Sequence, residues 1–209
     1  IIIGGVIELV PTFLIKSNIP TITSVKPYTP LELHGRDIYI REGCVGCHSQ
    51  MVRPFRSEVQ RYDPKGGEYS KAGEYVYDHP FLWGSKRTGP DLHRTGGKYA
   101  DSWHYRHMLT PGDVSNGSIM PAYPWLYDQV IDKEQTAKKI SALRTIGVPY
   151  EEGFEETANE NLEAQAKKIT EGLKMEGYEV ADEAEIVALI AYLQRLGVDI
   201  KAEKVAGNN

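Results

Sequence analysis

The residues whose types and spacing indicate a definite chemistry are Cys44-Val45-Gly46-Cys47-His48, a C-x-x-C-H motif. Two thiols about one helical turn apart can add across the two vinyl groups of one haem, while the adjoining imidazole faces the iron. The chain has two cysteines, both in this motif, so no disulfide framework is available to it. The motif therefore predicts one covalently attached haem c, with His48 as an axial ligand.

Two other chemistries use part of the same motif. A C-x-x-C pair can act as a redox disulfide, and two cysteines with a histidine can hold zinc. A structural zinc site needs four protein ligands, yet no second cysteine pair follows, and His104 and His107 form the only histidine pair three residues apart. A thioredoxin-like motif lies among alternating strands and helices, and this sequence lacks that alternation. Covalent haem is the interpretation that uses all three residues.

A haem iron held by one imidazole has a second axial position to fill. Three of the four methionines are poorly placed, being close to the haem motif or in helical segments: Met51, Met108 and Met175. Met120 lies in a loop far enough along the chain to close over the opposite face, and a thioether ligand favours reduced iron, which suits an electron carrier. The alternatives are a core methionine at this position, or a histidine ligand among His93, His104 and His107.

Several other side chains suit the surroundings of a haem. Haem propionates are anionic, and forked guanidinium groups are their natural partners, so we expect Arg53, more than Arg56, to bind one. The alternatives for Arg53 are an ordinary surface position or a contact with a neighbouring subunit. Large aromatic side chains can wall a haem or pack a core, and the candidates are Trp83, Trp103 and Trp125.

The segments that position these residues change in character along the chain. Loops rich in Tyr, Trp, Arg and Gly dominate up to about residue 127, and three amphipathic helices follow. Capping boxes and terminal glycines predict the ends of the first and third helices at Asp132/Gln135 to Gly147 and at Asp182/Glu185 to Gly197. The second helix has one apolar face before Gly177, formed by Leu162, Ala166, Ile169 and Leu173. No strand of convincing length is predicted.

The beginning of the chain has a different composition. Residues 1–16 are strongly apolar, so we expect a transmembrane anchor whose start is missing from this sequence. Residues 17–30, with three prolines, predict an extended linker. The haem domain is then expected over residues 31–200, followed by a tail over residues 201–209. The alternative for the apolar stretch is a buried helix or strand.

The charge balance limits the possible partners. The formal net charge is −5, so the basic surface of a nucleic-acid-binding protein is missing. Residues 151–185 contain twelve acids and three lysines. This acidic segment is expected to be the solvated face of helices, with a docking surface for a basic partner as the alternative.

Several motifs together resemble a known family. The order of the haem motif, Thr88-Gly89-Pro90-Asp91-Leu92, the Met120-Pro121 loop and a final amphipathic helix resembles a class I cytochrome c. More narrowly, three segments resemble the mono-haem subunit (subunit II) of cbb(3)-type cytochrome c oxidases: Gln50 to Phe55, Trp103-His104-x-x-His107 and Met120 to Leu126. The resemblance extends over about residues 1–200. It implies an all-α, class I cytochrome c fold with loop-rich insertions, preceded by an N-terminal transmembrane helix.

The resemblance also implies roles for individual residues. Cys44 and Cys47 would form the thioether bonds, His48 would be the proximal iron ligand and Met120 the distal one. The backbone carbonyl of Pro90 would orient the His48 imidazole, with a plain turn residue as the alternative. Gly35 and Tyr39 resemble the small and aromatic pair that crosses the C-terminal helix in this class.

The function implied is single-electron transfer within a cbb(3)-type haem-copper oxidase. The chain would pass electrons from a soluble or anchored cytochrome c to the large catalytic subunit, beside a di-haem cytochrome c subunit. Oxygen reduction and proton translocation would belong to the catalytic subunit. The anchor would hold the chain in the bacterial inner membrane, with the haem domain in the periplasm. The alternative is an anchored generic electron shuttle, which does not explain the aromatic, arginine-rich segment 51–87.

Overall fold

Helices make up the secondary structure of the protein in the computed structural model, which describes residues 2–14, 21–63 and 67–201. The α-helices are α1 (Ile2–Leu14), α2 (Pro30–Arg41), α3 (Arg56–Tyr62), α4 (Asp101–Leu109), α5 (Pro111–Val114), α6 (Thr136–Thr145), α7 (Phe154–Met175) and α8 (Glu185–Arg195). Short 3₁₀ helices occupy Cys44–Gly46, Ala72–Tyr75, Pro124–Tyr127 and Lys133–Gln135. Pairing of extended backbone within the described ranges is limited to an isolated bridge between Val130 and Ala184. The helical character predicted from the sequence is therefore present.

The crossing of α2 and α8 forms the centre of the core. A Cβ atom on Gly35 would lie 2.0 Å from the Ala188 carbonyl oxygen, so only glycine allows the two backbones to approach this closely. One turn further along α2, the Tyr39 ring meets Tyr192 of α8 edge-on, with ring centroids 5.6 Å apart. This is the crossing that the Gly35 and Tyr39 spacing predicts. It fixes the end of α2 from which the haem motif departs.

Helices α6 and α7 complete the helical core. The predicted apolar face of α7 is buried, and its members are Leu162, Ala166, Ile169 and Leu173. In α6, Ile140 is fully buried against Leu33 of α2 and Ala158 of α7. Gly147 and Gly177 follow these helices with φ angles of +99° and +89°, a left-handed conformation that favours glycine.

The predicted start of α8 is wrong. The helix begins at Glu185, and its N-cap residue Ala184 supplies no side-chain hydrogen bond. Asp182 instead accepts a hydrogen bond from the Thr170 hydroxyl, and the Glu185 carboxylate binds the Arg41 guanidinium of α2. These contacts across the fold occupy both carboxylates that the capping box would have used.

The predicted N-terminal transmembrane helix is also wrong. Helix α1 has 13 residues, roughly 20 Å at 1.5 Å per residue, whereas a bilayer crossing takes about 20 apolar residues. Among the residues that the structure describes, no helix has both the length and the apolar character to span a membrane.

Part of the predicted linker packs on the domain. Residues 17–20 lie outside the described residues, as do residues 202–209 of the predicted tail. Further along, the Lys26 backbone N–H donates to the Asp199 carboxylate over 2.9 Å, and Tyr28 lies 5.7 Å from the Tyr192 ring. Residues 21–29 therefore form a non-helical strap held against α8 and the turn that follows it.

Candidate haem site

The C-x-x-C-H motif forms a single tight turn directly after α2. Gly43, at φ +70°, reverses the chain, and the 3₁₀ helix Cys44–Gly46 follows. The backbone N–H groups of Cys47 and His48 both donate to the Cys44 carbonyl, over 3.1 and 2.8 Å. Cys44 is half-buried and Cys47 is exposed, and neither forms a disulfide bond. The turn thus places both thiols and the imidazole within one short segment.

The environment of Cys44 weighs against redox-disulfide chemistry. Burial, and then the neighbouring Glu42, raise the pKa of the Cys44 thiol to about 12. An attacking dithiol needs a thiolate, and its cysteine has a lowered pKa. The Cys44 thiol therefore lacks the lowered pKa of an attacking cysteine.

The His48 imidazole is held by the loop that contains Gly89 and Pro90. Nδ1 of His48 lies 2.8 Å from the Pro90 carbonyl oxygen. A carbonyl only accepts hydrogen bonds, so Nδ1 carries the proton and the lone pair of Nε2 is free to bind a metal. Burial lowers the pKa of His48, opposed by its bond to Pro90, which favours the neutral form that ligates iron.

Gly89 allows the loop to press against the imidazole. A Cβ atom at this position would lie 2.1 Å from Cε1 of His48, so any side chain would displace the ring. The Gly89 N–H also donates to the Cys47 carbonyl over 3.0 Å. The same backbone therefore contacts the haem motif twice and leaves the imidazole little rotational freedom.

Asp91 ties this loop to the residues after the haem motif. Its buried carboxylate accepts hydrogen bonds from the Ser49 hydroxyl over 2.6 Å and from the Met51 N–H over 2.7 Å. The Leu92 N–H donates to the Ser49 carbonyl over 3.0 Å. Sequence reasoning noted Asp91 only within a motif, because nothing in the sequence indicates which groups a buried carboxylate would reach.

Met120 lies in an irregular loop beside the haem motif. It is half-buried and packs against the same core cluster as Cys44. The Tyr123 N–H donates to the Met108 carbonyl of α4 over 2.8 Å, which fixes the loop next to that helix. Cys44 and Cys47 both contribute to raising the pKa of Tyr123, after burial, so this loop lies close to both thiols.

The other candidate sulfur and imidazole ligands are placed differently. Met108 is a buried core residue, whereas Met175 is 85% exposed on α7. His93 is engaged elsewhere: its Nδ1 lies 2.6 Å from the Ser70 hydroxyl and 3.0 Å from the Tyr75 hydroxyl. His104 and His107 lie on α4.

Arg53 binds a carboxylate of this chain. Its Nε donates to Glu58 over 2.6 Å, a second guanidinium nitrogen contacts the same carboxylate, and the group lies 5.0 Å from the Phe55 ring centroid. The nearby Arg56 donates to Gln60 over 3.2 Å. The role of Arg53 at a haem propionate stays a prediction.

The three tryptophans lie in different surroundings. Trp103 is stacked between Tyr99 and His107 on the face of α4. The Trp125 indole N–H donates over 3.1 Å to Glu42, which lies two residues before Cys44. The Trp125 side chain remains 40% exposed. Trp83 stacks on Phe81 with ring centroids 4.5 Å apart.

The residues present fit a haem in their chemistry. The donor set combines two thiols, an imidazole with a free Nε2 and a nearby thioether, which are the groups of a c-type cytochrome. The contact of Gly89 with His48 holds the imidazole as an axial ligand requires. The structure also leaves buried ring nitrogens of His104 and His107 without a partner among the described residues, as expected where a polar cofactor group binds.

Comparison with known proteins identifies the family. The family model described as cytochrome c oxidase, mono-heme subunit/FixO matches residues 1–200. No curated protein matches the chain. The matched range includes the haem motif, the Gly89-Pro90 loop and Met120, so the chain belongs to the family of mono-haem subunits of cbb(3)-type cytochrome c oxidases.

Proposed function

We propose that this chain is the one-electron relay of its oxidase, with haem c attached through Cys44 and Cys47 and ligated by His48 and Met120. The observation that carries the proposal is the fixed imidazole: His48 Nδ1 is bound to Pro90, the ring is packed on Gly89, and both thiols lie in the same turn. When bound, the haem supplies an iron centre that accepts and releases one electron.

The protein's own residues set the conditions for that transfer. Pro90 holds the His48 ring and its tautomer, which limits reorganisation of the ligand when the iron changes charge. The Met120 loop, tied to α4, is proposed to bring the thioether to the opposite face and to favour reduced iron. The packed core beside Cys44 excludes water from one side of the site.

The proposed partners follow from membership of an oxidase. One electron enters from a reduced cytochrome c or from a di-haem cytochrome c subunit, and one electron leaves to the large haem-copper subunit. We place the haem domain on the periplasmic side of the bacterial inner membrane, the oxidising side, on which c-type haem is attached in this family. We propose that oxygen reduction and proton translocation occur in the catalytic subunit, because the residues of this chain suit only electron transfer through one haem.

Covalent attachment is tested by the mass of the denatured polypeptide after production with a cytochrome c maturation system. The wild-type chain is expected to carry the mass of one haem, and the double variant Cys44→Ala/Cys47→Ala to carry none. A wild-type chain that loses all pigment on acid-acetone extraction would refute the attachment.

The axial ligand is tested separately with Met120→Leu. Loss of the thioether is expected to abolish the near-infrared charge-transfer band of the ferric protein and to lower its midpoint potential. The matched control is Met175→Leu, because Met175 is exposed on α7 far along the chain from the haem motif. A band that survives in Met120→Leu would assign the sixth ligand to another residue.

A further inference from the structure

Two buried imidazole nitrogens on α4 have no hydrogen-bond partner among residues 2–14, 21–63 and 67–201: Nε2 of His104 and Nδ1 of His107. His104 is 2% exposed, so solvent does not reach it. Other buried histidines are satisfied; Nε2 of His34, for example, lies 2.9 Å from the Thr136 hydroxyl. A buried polar atom without a partner is destabilising and indicates that something else binds it.

The α4 rings are held in fixed orientations. His107 stacks on Trp103 with centroids 4.5 Å apart, and Trp103 stacks in turn on Tyr99 at 4.0 Å. His104 meets the Trp103 ring edge-on at 5.3 Å. This packing fixes the orientation of both imidazole rings, so the two nitrogens are preorganised to bind a group.

Both histidines lie on the helix that holds the Met120 loop. His104 and His107 are three residues apart, so they project from the same side of α4. Helix α4 is joined to the Met120 loop through the bond from the Tyr123 N–H to the Met108 carbonyl. The histidines thus lie within about one turn of Met108, the residue that holds the Met120 loop against α4.

A lysine lies just before the start of α4. Lys98 Nζ lies 5.4 Å from the centroid of Tyr99, the ring on which Trp103 stacks, and donates to the Arg61 carbonyl over 2.7 Å. Imidazole donors with a lysine on the same side of the helix start form a site suited to a carboxylate.

We propose that Nε2–H of His104 and Nδ1–H of His107 donate hydrogen bonds to the propionate carboxylates of the haem, with Lys98 supplying compensating charge. This inference rests on the proposed haem and assigns its orientation. The propionates point toward α4 and the Lys98–Tyr99 turn, and Arg53 is left to its ion pair with Glu58. His104 and His107 are positioning residues, which act on the iron through the charge of the propionates.

The first test uses the wild-type holoprotein in its diamagnetic ferrous state. A carboxylate only accepts hydrogen bonds, so the proton of His104 must sit on Nε2 and that of His107 on Nδ1. Nitrogen-15 spectra of histidine-labelled protein are expected to show both N–H groups protected from exchange with solvent. Finding either nitrogen unprotonated overturns the proposal, and this test requires no variant to fold.

The second test exploits the geometry of the two nitrogens. Asn places its amide N–H near the position of Nδ1 in histidine, whereas Gln reaches the position of Nε2. We therefore expect His107→Asn and His104→Gln to retain the wild-type propionate bending bands in resonance Raman spectra. We expect His107→Leu and His104→Leu to shift these bands and to lower the midpoint potential, because less compensated negative charge near the iron favours the ferric state.

The control is His34→Gln, a change at a buried and fully partnered histidine on α2, which should leave the bands and the potential unchanged. Leucine variants with wild-type bands and potential overturn the proposal while leaving the haem assignment intact. A leucine variant that becomes five-coordinate, with Met120→Leu still six-coordinate, shows that the histidine is an iron ligand and also overturns it. A wild-type chain without haem refutes the proposed function instead.

Discussion

At the scale of single residues, the haem motif is interpretable from sequence because its chemistry is local. Cys44, Cys47 and His48 lie within one turn, so their spacing alone predicts the cofactor. The environment of Arg53 could not be predicted in the same way. Glu58 lies only five residues away, yet whether the two side chains meet depends on the turn into α3.

Gly89 carries the sharpest prediction at this scale. Gly89→Ala should displace the His48 ring, because the added Cβ would lie 2.1 Å from Cε1. We expect the variant to incorporate less haem and to show a perturbed low-spin spectrum, measured as haem absorbance per polypeptide and as the optical spectrum of the purified chain. The backbone angle of Gly89 is not left-handed, so the effect is steric.

The matched control is Gly172→Ala in α7, where an added Cβ meets no atom within 4 Å. This control should bind haem as the wild type does and gain a little helix stability. Normal haem content and an unchanged spectrum in Gly89→Ala would mean that the loop moves aside, and that the close contact does not position the imidazole.

At the scale of helices and loops, periodicity predicts interiors better than ends. The apolar face of α7 and the Gly35 crossing appear in the structure because packing against a core imposes a repeat on the sequence. The start of α8 could not be predicted, since Glu185 binds an arginine 144 positions away. A capping box competes with such long-range contacts, and the sequence does not indicate which prevails.

The contact between α2 and α6 predicts a loss of stability in acid. His34 lies between the Thr136 hydroxyl and the Lys139 ammonium group, each 2.9 Å away, and burial followed by Lys139 lowers its pKa from 6.5 to about 4. In the unfolded chain His34 binds a proton below about pH 6.5, whereas in the folded chain it stays neutral until about pH 4. The contribution of neutral His34 to the free energy of unfolding is therefore complete above the unfolded pKa and is lost as the pH falls from 6.5 to 4.

Chemical denaturation at pH 7 and pH 5 measures this effect. Between these values, His34 should account for about 2 kcal/mol of the decrease in the free energy of unfolding. The variant His34→Gln lacks the titrating group. Between pH 7 and pH 5 its free energy of unfolding should therefore decrease by about 2 kcal/mol less than that of the wild type. Equal decreases in the two proteins would show that His34 does not resist protonation in the fold.

At the scale of the whole molecule, the order of motifs along the chain predicts the family, and the match over residues 1–200 confirms it. The failure of the transmembrane prediction has a physical cause. The prediction rested on apolar composition, whereas a bilayer crossing also needs about 20 residues of apolar helix, and no helix among the described residues has both properties. The stacked rings of Phe81 and Trp83 are exposed, and this arrangement depends on the tertiary fold, which the sequence alone does not indicate.

The most direct measurement of the relay is oxygen uptake by the purified oxidase complex with a reduced cytochrome c as donor. Met120→His should keep the haem attached but lower its potential, because imidazole replaces the proposed thioether ligand. Each ~59 mV by which the midpoint potential falls lowers the equilibrium constant for electron transfer from the donor to this haem tenfold. If electrons pass through this haem, oxygen uptake should therefore fall about tenfold or more. The relay would be contradicted if the Met120→His complex took up oxygen at the wild-type rate although the midpoint potential of this haem was lowered.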